Sequence, residues 1–183
     1  HWAKAEELAR EYRDILVMGG NRSGKSTWAG KLVMRILAEK PEARAWCFQT
    51  TNDNSVSMQQ PILWNFMPAE LREAKRNKIT NIAYTQKNGF SENTFVLPNR
   101  SQCWFRNYAQ DIKTIEGGEI DVAWCDELVP MDFLETIRFR LVDRNGILIV
   151  TFTPVEGYSA TVKEYLQGAR TILDCEAELL PKR

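Results

Sequence analysis

Two spacings of apolar residues alternate along this chain. Short, almost unbroken apolar runs are followed by longer stretches in which apolar residues return every three or four positions. The first pattern suits strands buried on both faces and the second suits amphipathic helices that cover them. Together they predict an α/β domain, a mostly parallel sheet with flanking helices. Residues 14–19 (DILVMG) are expected as the first strand and 25–40 as a helix stopped by Pro41. Residues 44–51 read as a second strand, and 55–67 as a helix kinked at Pro61. Residues 82–85, 94–98 and 101–108 alternate as antiparallel or edge strands do, with turns at Asn88-Gly89 and Asn99. A strand over 120–127 ends in two acids, and a helix over 131–143 closes at Asn145-Gly146. The continuous apolar run 146–154 predicts a strand buried on both faces. A helix over 160–167 and a last strand over 170–179 complete the domain.

Composition narrows the functional classes. A chain of 183 residues fits one domain with a substantial core. Its 24 basic residues balance 24 acidic ones, which argues against a simple electrostatic nucleic-acid binder but leaves room for a local patch. No apolar run approaches the ~20 residues a bilayer requires, and residues 1–14 are too charged for a secretory signal, so no membrane partner is expected. Cys47, Cys103, Cys125 and Cys175 form no CxxC pair and are expected as buried thiols. The single histidine is His1, which removes histidine-based triads and most zinc sites.

Chemistry concentrates where strands end. Gly19-Gly20-Asn21-Arg22-Ser23-Gly24-Lys25-Ser26 matches G-x-x-x-x-G-K-[ST], in the setting that pattern needs, after a strand and before a helix. Glycines let backbone amides surround phosphate oxygens, and the following helix adds the positive end of its dipole. Lys25 is expected to reach the outer phosphates of ATP, Ser26 to hold Mg²⁺, and Thr27 to complete the binding segment. Arg22 reads either as a surface arginine or as a finger over the γ-phosphate. In the strand ending Asp126-Glu127, Asp126 is expected in the metal shell and Glu127 at the attacking water. Asp121 lies about 17 Å from that end by strand rise, too far to take part. Thr151 and Thr153 share one side of the next strand, which Pro154 ends. They are either strand formers or sensors of the γ-phosphate.

The set GGNRSGKST, IDVAWCDE and IVTFTP resembles the ATPase domain of the large terminase subunit of tailed bacteriophages and prophages, over about residues 14 to 167. The ensemble is what is specific: arginine inside the P-loop, the paired acids and the T-x-T-P segment. The resemblance implies an ASCE, RecA-like P-loop NTPase fold and Mg-dependent ATP hydrolysis that drives double-stranded DNA into a procapsid. It also implies portal protein and small terminase subunit as partners. A homo-oligomeric ring during packaging is implied as well, with the isolated domain expected as a monomer. The implied location is the host bacterial cytoplasm, transiently at the portal. By the same likeness Arg22, Lys25 and Glu127 are catalytic, Ser26 and Asp126 hold metal, and Thr151 to Pro154 couple hydrolysis to movement. Family members contact adenine just before the first strand, where Tyr12 and Arg13 stand.

Two departures matter. The family's RNase H-like nuclease domain has no counterpart in residues 1–183, so the chain is expected to be a single ATPase domain without cutting activity. Some members also supply an arginine in trans shortly before the acidic strand. Here that segment carries Lys113, and Arg100, Arg106, Arg138, Arg140 and Arg144 remain as candidates. The basic stretch with Arg72, Lys75, Arg76 and Lys78 reads as a solvated face more readily than a DNA contact, and the tryptophans read as core. Two rival functions share the P-loop: one RecA-like half of a helicase, and an ATP-binding assembly scaffold that does not hydrolyse.

Overall fold

The computed structural model describes residues 2–73, 79–111, 118–127, 129–154 and 159–172. Among them the apolar runs become β1 (Asp14–Met18), β2 (Arg44–Gln49), β3 (Tyr84–Thr85), β4 (Gly89–Phe90), β5 (Thr94–Val96), β6 (Gln102–Asn107), β7 (Val122–Asp126) and β8 (Ile147–Phe152). The helices are α1 (Trp2–Glu11), α2 (Lys25–Glu39), α3 (Asn52–Asn54), α4 (Gln60–Phe66), α5 (Ala69–Arg72), α6 (Met131–Val142) and α7 (Ala160–Gly168). The main sheet has the order β1-β8-β7-β2-β6-β5, with every neighbouring pair parallel except β5 and β6. Five strands therefore deliver their C-terminal ends to one edge, where ligands collect in such sheets.

Side-chain alternation sorts the core into two layers. Val122, Trp124, Ile147 and Ile149 meet Trp28, Leu32, Val33 and Leu37 of α2 on one face. Ala123, Cys125, Leu148 and Val150 meet Phe133, Leu134, Ile137 and Leu141 of α6 on the other. Each Val, Leu, Ile or Phe among them stabilises the fold by about 1.5–3 kcal/mol relative to exposure. A polar side chain at these depths therefore needs its own partners, which draws attention to the acids at the two ends of β7.

Three expectations change in detail. Of the two alternatives for residues 101–108, antiparallel holds and edge does not: β6 pairs antiparallel with the edge strand β5 and, on its other side, runs parallel to β2 from Arg44 opposite Gln102 to Gln49 opposite Asn107. Its alternating pattern reflects unequal cover, with Cys103 and Phe105 buried while Gln102, Trp104 and Arg106 stay half-buried. In the helix expected over 55–67, Ser55–Gln59 is π-helical and lies just ahead of Pro61. The helical run continues without a break from Asn52 to Phe66, and Pro61, which has no amide hydrogen to donate, stands just after its π-helical turn. Residues 82–85 contribute only the two-residue β3, paired with β4 apart from the main sheet across the expected Asn88-Gly89 turn.

Cys47, Cys103 and Cys125 are buried free thiols, and burial raises the pKa of Cys47 and Cys125, which keeps them unreactive. Cys175, Lys75, Arg76, Lys78, Lys113 and most of the expected last strand lie outside the described residues. Among the described residues no helix is long and apolar enough to cross a membrane.

Candidate functional site

The loop after β1 is pinned at its start, where the Gly19 amide donates to the Phe152 carbonyl at 3.2 Å, and it turns through a Ser23 amide to Gly20 carbonyl bond of 3.3 Å. Arg22 and Gly24 both take left-handed backbone, with φ of 62° and 88°. That conformation costs a residue with a Cβ roughly 1–2 kcal/mol. At Gly24 a Cβ would also crowd the Trp2 indole at 3.3 Å, which adds to the preference for glycine there. α2 begins at Lys25 without a side-chain cap, which leaves its first-turn amides available to the loop. Lys25 is buried and its ammonium donates to the Gly20 carbonyl at 3.4 Å. The Ser23 hydroxyl is buried without a hydrogen-bond partner. Uncapped amides, a buried cation and an orphaned hydroxyl make a cradle suited to a phosphate group.

β7 ends beside this cradle because β8 separates it from β1 by one strand. Asp126 is 3% exposed. Its Oδ1 accepts hydrogen bonds from the Ser26 hydroxyl, at 3.3 Å, and from the Thr151 hydroxyl, and its Oδ2 accepts from Gln49 Nε2 at 3.0 Å. Burial raises the pKa of this carboxyl above the usual carboxylate range. The charge of Glu127 pushes the same way, against the Thr151 and Ser26 hydrogen bonds and the charge of Lys25.

Glu127 takes left-handed backbone, φ 62°, with its amide donating to the Thr151 carbonyl at 2.8 Å. Strained backbone of this kind persists where the surroundings hold it, and here Thr153 donates to Glu127 Oε1 at 3.3 Å. Thr151 and Thr153 thus address the two acids in turn, Pro154 following at the strand's exit. Thr151 also accepts from the Trp124 indole at 2.9 Å.

Ser26 and Asp126 offer two hard oxygens at one point. Among the described residues no group of three or more His, Cys, Asp or Glu could hold a metal ion. The pair fits a Mg²⁺ that keeps water and substrate phosphate as its remaining ligands, better than a cation needing a full protein cage.

Other residues of interest lie apart. Gly20, Asn21, Arg22 and Thr27 are exposed around the loop. Arg138 is paired with Asp14 at 2.8 Å and Glu164 at 2.6 Å, Arg144 with Asp121 at 2.9 Å, and Arg100 with Glu42 at 3.3 Å. The Arg106 guanidinium stacks 4.7 Å from the Trp46 ring centre. Tyr12 hydrogen-bonds Thr171 at 2.5 Å, and Arg13 donates to the Ala9 and Arg10 carbonyls, so both make local contacts.

Two residues of the site escaped sequence reasoning: Gln49, and Tyr108, whose hydroxyl donates to the Asp126 carbonyl at 3.4 Å. The available signal was a lone amide ending the otherwise apolar run AWCF. It says nothing of which strand lies alongside.

Comparisons with known proteins bear on the fold and the family. The structure aligns with a variant of the Thermus phage P74-26 large terminase ATPase domain at TM-score 0.66 and 18% identity, covering 95% of this chain and 72% of that one. The unsubstituted domain aligns at TM-score 0.62 and 18% identity, over 88% and 67%. A large terminase of a second thermophilic bacteriophage, in complex with ADP, aligns at TM-score 0.61 and 16% identity over 91% of this chain and 40% of its own. At such identities these likenesses establish the RecA-like P-loop fold. A search of curated protein sequences found no match. The profile for the terminase large subunit, T4likevirus-type, N-terminal, matches residues 16–175, so the chain belongs to that family.

Proposed function

We propose that residues 1–183 form one ATPase motor domain that couples Mg-ATP hydrolysis to movement of double-stranded DNA into a procapsid. The observation that carries this reading is the 3.3 Å contact between Ser26 of the lysine-bearing loop and Asp126 of the acidic strand. Two segments a hundred residues apart in sequence meet at one point, where this reading puts the triphosphate. The adjacent Glu127 favours hydrolysis over passive binding, and the family supplies the DNA-packaging context, with portal protein, small terminase subunit and a ring of copies as partners in the host bacterial cytoplasm.

In this reading the loop amides and Lys25 bind the phosphates, and Ser26 with Asp126 would hold Mg²⁺. When bound, Mg²⁺ neutralises charge on the phosphate oxygens. Glu127, turned out of the strand by its left-handed backbone, orients water in line with the γ-phosphate and takes its proton. Arg22, on the exposed crest of the loop, meets charge developing on the γ-phosphate. Thr153 releases or holds Glu127 as that charge changes, and with Thr151 and Pro154 it transmits the change to the chain beyond β8.

Steady-state phosphate release tests the assignment. Glu127→Ala is expected to fall about 10²–10⁴-fold while ADP binding persists. Equal rates for wild type and variant would refute it.

A further inference from the structure

We infer that Gln49 is a positioning residue for the metal-binding carboxylate of Asp126 and ties that carboxylate to the helical arm beginning at Thr51. The inference rests on the hydrolytic reading above.

Gln49 ends β2, 1% exposed, on the side of β7 opposite the P-loop strand. Its amide has one permitted orientation. The backbone N–H of Thr50, a donor only, bonds Gln49 Oε1 at 2.9 Å, and the Thr50 hydroxyl approaches the same oxygen at 3.4 Å. The NH₂ group must therefore face Asp126, where Nε2 donates to Oδ2 at 3.0 Å. Ser26 and Thr151 both act on Oδ1, so Gln49 is the side chain that holds Oδ2 among the described hydrogen bonds. A carboxylate held through both oxygens resists rotation about its Cβ–Cγ bond, so Oδ1 stays turned toward Ser26 of the loop. Outer-shell donors of this kind set the orientation of metal ligands elsewhere.

The same amide reaches outward. The Thr50 hydroxyl accepts from Asn54 Nδ2 at 2.7 Å, and Thr51 Oγ1 caps the Asn54 amide at 3.1 Å. Beyond Asn54, the π-helical segment ends at Gln59, whose Nε2 returns to the Phe48 carbonyl at 3.3 Å and the Trp124 carbonyl at 3.5 Å. A chain of hydrogen bonds thus links the Asp126 carboxylate to α3 on the side away from Thr151 and Thr153.

The test uses Mn²⁺ as a spectroscopic probe of the ADP-loaded protein, read by electron paramagnetic resonance, with phosphate release as a second readout. Gln49→Met keeps volume and removes the donor. It is expected to raise the Mn²⁺ Kd, and the Mg²⁺ concentration for half-maximal phosphate release, about ten-fold, while leaving divalent-free ADP affinity within two-fold. Gln49→Asn, one methylene short of Asp126, keeps the fold testable should the first variant fail to fold, and must shift Mn²⁺ in the same direction. A Mn²⁺ Kd within two-fold of wild type in a folded variant overturns the inference. So does an equal loss of metal-free ADP affinity, which marks a merely structural role. A wild type that binds Mn-ADP with the expected Gln49 dependence yet releases no phosphate would sink the hydrolytic reading and leave the positioning role standing.

Discussion

Two buried aspartates stand at opposite ends of one strand and are held in opposite ways. Asp121, just before β7, is 4% exposed and Asp126, at its end, 3%. Asp121 is met by Arg144 at 2.9 Å, Lys40 at 2.5 Å and the Arg44 amide at 2.7 Å. Burial alone would raise its pKa, but these partners outweigh burial and hold the carboxyl below its usual value. Asp126 receives only hydroxyl and amide donors among its described hydrogen bonds, and its carboxyl is held above the usual range. The first end is electrostatically finished and ties together the starts of β2, β7 and β8 with the end of α2. The second has no ion-pair partner among its described contacts, which suits the proposed Mg²⁺ site.

Four substitutions test this contrast, the largest effect first. Asp126→Asn is expected to cut Mg-dependent phosphate release about 10³-fold, since the ligand supports several kcal/mol of transition-state stabilisation. In metal-free buffer its Tm should equal or exceed that of wild type, because a carboxylate that burial disfavours has been replaced. A large drop in Tm would mean that Asp126 is structural like its counterpart.

Asp121→Asn should do the reverse, lowering stability by about 3 kcal/mol, or roughly 6–12 °C in Tm, with site chemistry retained. A depressed folded-state pKa contributes stability above the unfolded value, about 3.9, and loses it as pH falls through the folded value. The Tm gap between wild type and variant should therefore stay level from pH 7 to about 5 and close below about 4. A gap that widens on acidification would contradict the ion-pair account.

Gly146→Ala probes the backbone at the Asp121 end. Its Cβ would lie 2.7 Å from the Ile120 carbonyl and 2.9 Å from that of Asp121, so a loss of about 2 kcal/mol is expected by denaturant unfolding, without change in nucleotide affinity. Thr151→Val at the Asp126 end removes one donor to the carboxylate and orphans the buried Trp124 indole. It should lower stability by about 1–2 kcal/mol and also slow phosphate release, the joint effect that separates the two ends.

Much of this was legible from residue order. Periodicity located β1, α2, β2, β7, α6, β8 and α7, because burial on two faces or one leaves a signature at each position. The spacing of Gly19, Gly24, Lys25 and Ser26 brought its own chemistry, since a phosphate loop is local in the chain. The antiparallel pairing of β6 with β5 was legible but its parallel pairing with β2 was not, because alternation records how well each face is covered, not which strand lies alongside. The paired acids could be seen but not what surrounds them.

The sequence by itself determined most of the element types, the phosphate-loop motif and the family, all of which depend on neighbours a few residues apart. Only the tertiary structure decided that β8 lies between β1 and β7, that Gln49 reaches Asp126, and that Asp121 is neutralised while Asp126 is not. Strand order and the pairing of buried charges depend on contacts across 77 to 100 residues of chain, and those contacts form only when the sheet closes.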